Sequence, residues 1–415
     1  MSALASLLHF RGFLVQGSDK SHSKWTEKLT KEGIKVFYGH SATNIGNANI
    51  IVINHAIDKN NEELKYAKKK RLLIISRAEL LGLLAREFEN VIAVSGAHGK
   101  TTTTTLLAEI FTKAGYNPTV HCGGDMSYVN SNVAIGDKKF FITEACEYKD
   151  SFLELSPDLS IILNIEREHL DYFKNFDNVK KSFQKFASQS EKVITSEKYN
   201  FKENQITIGR DIYAKKIKWT KRWTKFKVFR NKKPFMKVKL KAFGEHNVLN
   251  SLYAIETALL YNIDKKTIKD ALKNFNGVKR RFEVIKQKPL IIHDYAHHPD
   301  EIKSVLQTIK KITKKKIMVV FQPHTYSRTE KLYKEFIESL SLADLVCIYK
   351  TYSSREKYTR KGSAKVLYDG LVKIRVACQF FKNITSLKQF VLSQKGYVVM
   401  ILGAGNIDKF ANLLK

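Results

Sequence analysis

Short runs rich in β-branched and aromatic residues recur along this chain, separated by stretches of helical periodicity. They fall at Phe13 to Gln16, Ile50 to Ile53, Leu72 to Ile75, Val91 to Ser95, Phe140 to Thr143 and Ser160 to Asn164. Later ones fall at Leu290 to His293, Ile317 to Phe321, Leu345 to Tyr349 and Tyr397 to Leu402. Amphipathic segments such as Thr101 to Ala114 and Asn247 to Leu260 fill the gaps. Strands that alternate with helices need crossover connections, so the expected class is α/β with mostly parallel sheets. At 415 residues the chain exceeds one ordinary core and predicts about two to four domains. Its 43% hydrophobic content is enough to bury them. Only six prolines and few glycine clusters point to tight connections rather than long tethers.

The formal charge of +32 admits nucleic acid, an acidic membrane or anionic small substrates as partners. Clusters stand at Lys68 to Arg71, Lys314 to Lys316 and Lys215 to Lys241, and only the last interleaves bases with aromatics. That pattern suits a single-strand binder. Its period-two alternation equally suits a solvated β-hairpin turning at Arg230-Asn-Lys-Lys-Pro234, with bases outward and Trp223, Phe226 and Val228 partly buried; charge runs of this kind are more often solvated faces, which favours the hairpin. No run approaches the ~18 apolar residues of a membrane helix, and the start lacks a secretion signal, so the expected compartment is the cytoplasm. The four cysteines, Cys122, Cys146, Cys347 and Cys378, are too scattered for a zinc site or disulfide frame and read as reduced thiols.

Chemistry concentrates first in Ser95-Gly-Ala-His-Gly-Lys-Thr-Thr-Thr-Thr-Thr105. The common phosphate loop, G-x-x-x-x-G-K-S/T, has four residues between its glycines, whereas here only Ala97 and His98 separate Gly96 from Gly99. The stretch nevertheless sits at a strand-to-helix junction. Backbone N–H groups and the helix dipole there attract an anion. Lys100 would contact the β- and γ-phosphates and Thr101 a magnesium ion; the bland alternative is a helix start with a chance Gly-Lys-Thr.

Other candidates stand at strand ends. "FFITEACEYKDSF" places Glu144 where it can hold magnesium or simply face solvent. "SIILNIEREHLDYF" places Asn164 and His169 at another edge, as a metal ligand or a structural histidine. In "GEHNVLNSLYAIETA", Asn247 and Asn250 can read an adenine edge, or Asn247 can cap the helix. "GVKRRFE", "HDYAHHPDEIKSVL" and "FQPHTYSRT" bring Arg280, Arg281, Asp294, Tyr295, His297, His298, His324 and Arg328 to strand ends, where open sheets bind ligands. The adjacent His297 and His298 are poorly spaced for zinc. At the other end the chain opens inside a helix, "MSALASLLHFRG", before the strand "FLVQGSD". A dinucleotide-type domain begins with a strand and a glycine-rich turn, so this one is expected to lack them.

Taken in order, "GSD", Gly39-His40, "GAHGKTTTT", "EACEYKDSF", "NIEREHLDYF", "GEHNVLN", "RRFE", "HDYAHHPDE", "FQPHTYSRT" and "GAGNI" resemble the Mur ligase family of peptidoglycan synthesis, in its alanine-adding branch. In that family the short loop is the normal form. The resemblance implies a Rossmann-like UDP-sugar domain at 1–87 without its first strand, a central P-loop ATPase domain at 88–278 with a mostly parallel sheet, and a Rossmann-like C-terminal domain at 279–415. It implies ATP and Mg²⁺ as cofactors and the ligation of L-alanine to the lactyl carboxylate of UDP-N-acetylmuramate through an acyl phosphate. The chain would then be a monomer or weak homodimer with no nucleic-acid or membrane partner.

The site residues carried over are Lys100, Glu144 and His169 for catalysis, and Thr101, Glu144 and His169 for metal. Gly96, Ala97, His98, Gly99, Lys100, Thr101, Thr102, His246, Asn247, Asn250, Arg280, Arg281 and Asp294 would serve ATP. Ser18, Asp19 and His40 would serve the UDP group, and Tyr295, His297 and Arg328 the amino acid. The sequence departs from the family at Asn54-His55, where many members have two serines, at Glu168, where aspartate is commoner, and at Thr325, where some have arginine. The 198–241 segment is shorter and more basic than usual. Alternatives are a sister ligase that recycles peptides, a remnant impaired in UDP-sugar binding, and a P-loop nucleic-acid-binding ATPase.

Overall fold

A computed structural model describes residues 1–220, 223–354 and 356–415. Lys221 and Arg222 of the basic segment lie outside the described residues. Two compact units are present: 1–215 with 227–238 and 249–276, and 216–226 with 239–248 and 277–415.

The first unit opens with α1 (Ser2–Phe10), whose Leu4 and Leu7 are fully buried. Next come β1 (Gln16–Asp19), α2 (Lys24–Lys31) and β2 (Lys35–Tyr38), then β3 (Ile50–Ile53), α3 (Glu62–Lys69), β4 (Leu73–Ser76) and α4 (Arg77–Ala85). β1 pairs in parallel with β2, and β3 with β4, in two separate two-stranded sheets. The helices begin where polar caps satisfy their first N–H groups: Ser23 with Thr26 on α2, Asn61 on α3 and Ser76 with Glu79 on α4. The strand expected from Phe13 starts only at Gln16, and Leu14 stays fully exposed.

The sheet that follows contains β5 (Asn90–Ser95), β6 (Thr119–Met126), β7 (Ser131–Ala134), β8 (Phe140–Glu144), β9 (Leu159–Ile162), β10 (Lys192–Ser196) and β11 (Ile206–Ile208). It continues through β12 (Ile212–Trp219), β13 (Thr224–Arg230) and β14 (Lys233–Leu240) in the order β14-β13-β12-β11-β10-β9-β5-β8-β6-β7. From β11 to β6 all neighbours run parallel, and β7 reverses against β6. β5 is therefore central and buried along its apolar length, as the unbroken "VIAV" requires. α5 (Lys100–Lys113) and α7 (Phe176–Ser188) supply buried apolar faces, and Phe141, Phe152, Phe183 and Phe186 pack in one cluster. Each such ring contributes about 1.5–3 kcal/mol by burial.

The basic segment is a hairpin. Asn231 and Lys232 turn it with φ of 49° and 64°, the geometry of a type I′ turn. Phe226, Val228, Val238 and Leu240 face inward, while Lys225, Lys233, Lys237 and Lys239 are exposed. β14 is the sheet's edge, where lysines and Pro234 deter pairing with another chain. Edge protection accounts for this charge without a ligand. α8 (Glu245–Leu260) and α9 (Lys265–Asn274) follow.

The second unit is built on β15 (Glu283–Gln287), β16 (Leu290–Asp294), β17 (Lys316–Phe321), β18 (Leu345–Tyr349), β19 (Cys378–Phe381) and β20 (Tyr397–Leu402), in the order β15-β16-β20-β17-β18-β19. β15 is antiparallel to β16 and the rest are parallel. Its core lies on both faces of this sheet, around Phe321 and Phe336 on one and Met318 and Phe410 on the other.

Candidate active site

β5 ends at Ser95, and the next four residues turn the chain into α5 with no room to spare. Gly96 has φ 129°, and a Cβ there would lie 2.9 Å from the Asn164 carbonyl oxygen. Gly99 has φ 90°, and its Cβ would lie 2.6 Å from Asn250 Oδ1. Both positions therefore demand glycine. Asn164, at the end of the adjacent strand, stitches the loop. Its carbonyl accepts from the Ala97 N–H at 3.2 Å, its Oδ1 from the His98 N–H at 2.8 Å, and its Nδ2 donates to the His98 carbonyl at 2.9 Å. Two residues between the glycines suffice because a neighbouring asparagine fixes the turn.

Lys100 opens α5 and folds back over the loop. Its ammonium donates to the Gly96 and Ala97 carbonyls, and it lies 3.1 Å from Glu147 Oε2 and 3.3 Å from Oε1. Burial alone would push its pKa down, but attraction to Glu147, Cys146 and Glu144 prevails and holds it above the ordinary lysine value. Thr101 and Thr102 are buried in the same turn. At the first turn of a helix the N–H groups lack intrahelical partners, so this end is suited to an anion.

The acids face the lysine from two segments. Glu144 Oε1 accepts from the Gly123 N–H at 2.7 Å and from the Cys122 thiol at 3.0 Å. Burial and the Glu144 charge together push the Cys122 thiol well up. Glu147, only 3% exposed, lies 3.7 Å from His169 Nε2. Glu147, Glu168 and His169 offer ligand atoms within 4.8 Å of one another. Crossed tyrosines hold the segments together: Tyr148 donates to Asp171 at 3.4 Å and Tyr172 to Asp150 at 2.6 Å. Lys149, Asp150 and His169 all adopt left-handed backbone, with φ of 53°, 56° and 55°. His55 reaches Ser151 of the same segment at 3.3 Å.

In the N-terminal region, Ser18 and His40 come together, with Ser18 Oγ 3.0 Å from His40 Nδ1. Asp19 instead accepts from the Ser21 N–H at 3.2 Å. At α8, Asn247 Nδ2 donates to the Phe243 carbonyl at 2.7 Å, a bond that no N-cap makes, and His246 is exposed against Gly244.

In the second unit, Asp294 ends β16 and accepts from the N–H groups of Phe282 and Ala296, at 2.7 and 2.8 Å. Burial raises its pKa against the pull of Arg281 and those two donors. Arg280 and Arg281 both lie over the Tyr295 ring, at 4.8 and 4.9 Å. They differ in occupation. Arg280 donates to the Gly403 and Gly405 carbonyls at 2.7 and 3.1 Å, whereas Arg281 is exposed. His297, His324 and Arg328 form a chain, with ring centroids 5.7 Å apart and Arg328 Nη1 3.3 Å from His324 Nδ1. Burial, His297 and Arg328 push the His324 pKa down to about 4, so the ring is neutral at pH 7.

Three family models match in chain order: the Mur ligase family catalytic domain over 1–89, the Mur ligase middle domain over 94–258, and the Mur ligase glutamate ligase domain over 280–405. The chain is 40% identical over 435 residues to the UDP-N-acetylmuramate–L-alanine ligase of Caldicellulosiruptor saccharolyticus, covering 100% of itself and 95% of that protein. It belongs to the Mur ligase family. The Clostridium kluyveri ligase of the same name is 39% identical over 434 residues, again with 100% and 95% covered. Among solved structures, the UDP-N-acetylmuramate–alanine ligase of Thermotoga maritima superposes with a TM-score of 0.88 at 30% identity, covering 100% of this chain and 95% of that one. A murein peptide ligase from Psychrobacter arcticus gives 0.69 at 22% and shares the fold.

Within this Mur ligase, Lys100 and Thr101 open α5 directly after the short loop, and Glu147 lies between Lys100 and His169. Glu147 itself was not foreseen. It lies three residues after Glu144, and nothing in the sequence says which of two nearby acids turns toward the lysine. Asn164 was noticed as an edge residue beside His169, but its hold on the loop is visible only in three dimensions.

Proposed function

We propose that this Mur ligase joins L-alanine to the lactyl carboxylate of UDP-N-acetylmuramate at the expense of ATP. The observation that carries the reading is the full-length, 40% match to a ligase of that name. The loop geometry supports it.

A carboxylate oxygen attacks the γ-phosphorus of ATP and expels ADP. The alanine amine then attacks the acyl phosphate, and the tetrahedral adduct collapses to amide and phosphate. Two anions must meet in the first step, so fixed positive charge is the main requirement. Lys100, held cationic by Glu147, supplies it, and the first turn of α5 offers N–H donors to the phosphates. The carboxylates of Glu147 and Glu168, together with His169, fit a hard divalent cation, and Thr101 and Glu144 would add oxygen donors in the same reading. A magnesium ion held by these residues would further neutralise phosphate charge.

In the same reading, Gly96 to Thr102, His246, Asn247, Asn250, Arg281 and Asp294 serve the nucleotide. Ser18, Asp19 and His40 serve the UDP group, and Tyr295, His297 and Arg328 the amino acid. Arg280, tied to the 403–405 loop, shapes that loop instead of meeting phosphate. The test is phosphate release from the purified chain. Release should require UDP-N-acetylmuramate and L-alanine together; release equally well supported by a peptide in place of alanine, or stimulated by polynucleotide alone, would overturn the reading.

A further inference from the structure

The carboxylate of Glu63, in the first turn of α3, joins three separate segments of the N-terminal region. Its Oε2 accepts from Ser18 Oγ at 2.7 Å, at the end of β1, and lies 3.3 Å from His40 Nδ1, just after β2. Its Oε1 accepts from Asn44 Nδ2 at 2.7 Å, and the same amide donates to the Gly39 carbonyl at 3.1 Å. Glu63 and His40 side chains are 15% and 16% exposed, so the group is largely shielded from water.

The bonds fix directions. Ser18 has one hydroxyl hydrogen and gives it to Glu63, so it accepts from His40 Nδ1, which must carry hydrogen. The other ring nitrogen, Nε2, is left outside the network. Such orientation has to come from side chains here. β1 and β2 form a two-stranded sheet with little buried apolar surface, too small to hold its loops by packing.

We propose that Glu63 is a positioning residue for the UDP-sugar subsite: it presents Ser18, orients the His40 ring through Nδ1 and pins the Gly39-His40 turn through Asn44. This rests on the reading above, which assigns Ser18 and His40 to the UDP group. An amide in place of the Glu63 carboxylate cannot accept from both Ser18 and Asn44 in the same geometry.

The experiment compares wild type with Glu63→Gln and Glu63→Asp, measuring kcat, the KM for each of three substrates, and equilibrium binding of UDP alone by calorimetry. The expected result is a rise of about tenfold or more in the UDP-N-acetylmuramate KM and a matching loss of UDP affinity. kcat and the KM for ATP and L-alanine should stay within about twofold. Asn44→Ala, which cuts only one limb, should move the same KM by a smaller factor, and it keeps the test open if a Glu63 variant does not fold. An unchanged UDP-sugar KM in the folded variants, or an equal rise for all substrates, overturns the proposal. A wild-type protein that ligates its substrates but binds no UDP, with Glu63 variants that alter only the amino-acid KM, would instead overturn the assignment of the subsite.

Discussion

The loop from Gly96 to Gly99 and the paired segments 147–150 and 168–172 both bend sharply beside Lys100. The loop does so with glycines at φ 129° and 90°, the paired segments with Lys149, Asp150 and His169 near 55°. A side chain at such φ costs about 1–2 kcal/mol. The loop cannot bear it, because neighbouring atoms already occupy the space a Cβ would need. The paired segments accept it because two of their strained residues carry side chains that are used: His169 faces Glu147, and Asp150 receives Tyr172 and Ser182. Strain is thus avoided where the backbone is crowded by its neighbours, and kept where a side chain is aimed.

The largest effect should come from the residue both regions surround. Lys100→Ala is expected to lower ADP formation by about 10³-fold. Its circular dichroism spectrum should be unchanged and its melting temperature lower, because Glu147 is left buried without its cation. Product formation at a near-normal rate would remove the centre on which the comparison stands.

Next comes the loop itself. Gly99→Ala would set a Cβ 2.6 Å from Asn250 Oδ1 as well as straining the backbone. It should cost about 2–4 kcal/mol in urea unfolding and raise the ATP KM sharply. Gly115→Ala is the control. Its φ is 88° and nothing lies within 4 Å of the added atom, so only the backbone term of about 1 kcal/mol remains, with ATP kinetics unaltered. Equal behaviour of the two variants would show that crowding does not distinguish the loop.

In the paired segments, Asp150→Ala removes the acceptor of two hydroxyls while leaving the backbone bent. Loss of about 2 kcal/mol is expected, with a several-fold weaker apparent affinity for magnesium as His169 loses its support. Manganese binding followed by electron paramagnetic resonance reads this without turnover. An unaltered manganese affinity would mean that the tyrosine crossing holds the fold and not the histidine.

Much of this architecture was legible because buried parallel strands are written as unbroken apolar runs. Leu345–Tyr349 and Tyr397–Leu402 stand where the runs stand. Where the run and the pairing part company, pairing decides: β1 starts at Gln16 because its partners run from Lys35, and Phe13 and Leu14 remain outside. The glycine loop was legible for the same reason, since a sterically forced residue leaves a fixed letter. Glu63 and Glu147 were not. An acid in the first turn of a helix, or one three residues past a strand end, looks the same whether it greets solvent or holds a network, and only the folded neighbours tell them apart.

Lys149 gives the smallest and most discriminating test, because it shares the strain of its neighbours without sharing their contacts. Its φ and ψ are 53° and 37°, and its ammonium lies 5.6 Å from the Tyr148 ring centroid, a weak attraction at a partly exposed site. If strain in these segments is kept only to aim Asp150 and His169, position 149 is a passenger and should improve with a residue that tolerates left-handed backbone. Asparagine does so through local hydrogen bonding. Lys149→Asn is therefore expected to stabilise the fold by about 0.5 kcal/mol in urea unfolding with unchanged kinetics. Lys149→Gly should gain less, because relief of strain is offset by a freer unfolded chain. A rise in the ATP KM in both variants would place the Lys149 charge among the phosphate contacts, and the contrast between a loop that avoids strain and a segment that employs it would then have to include this lysine.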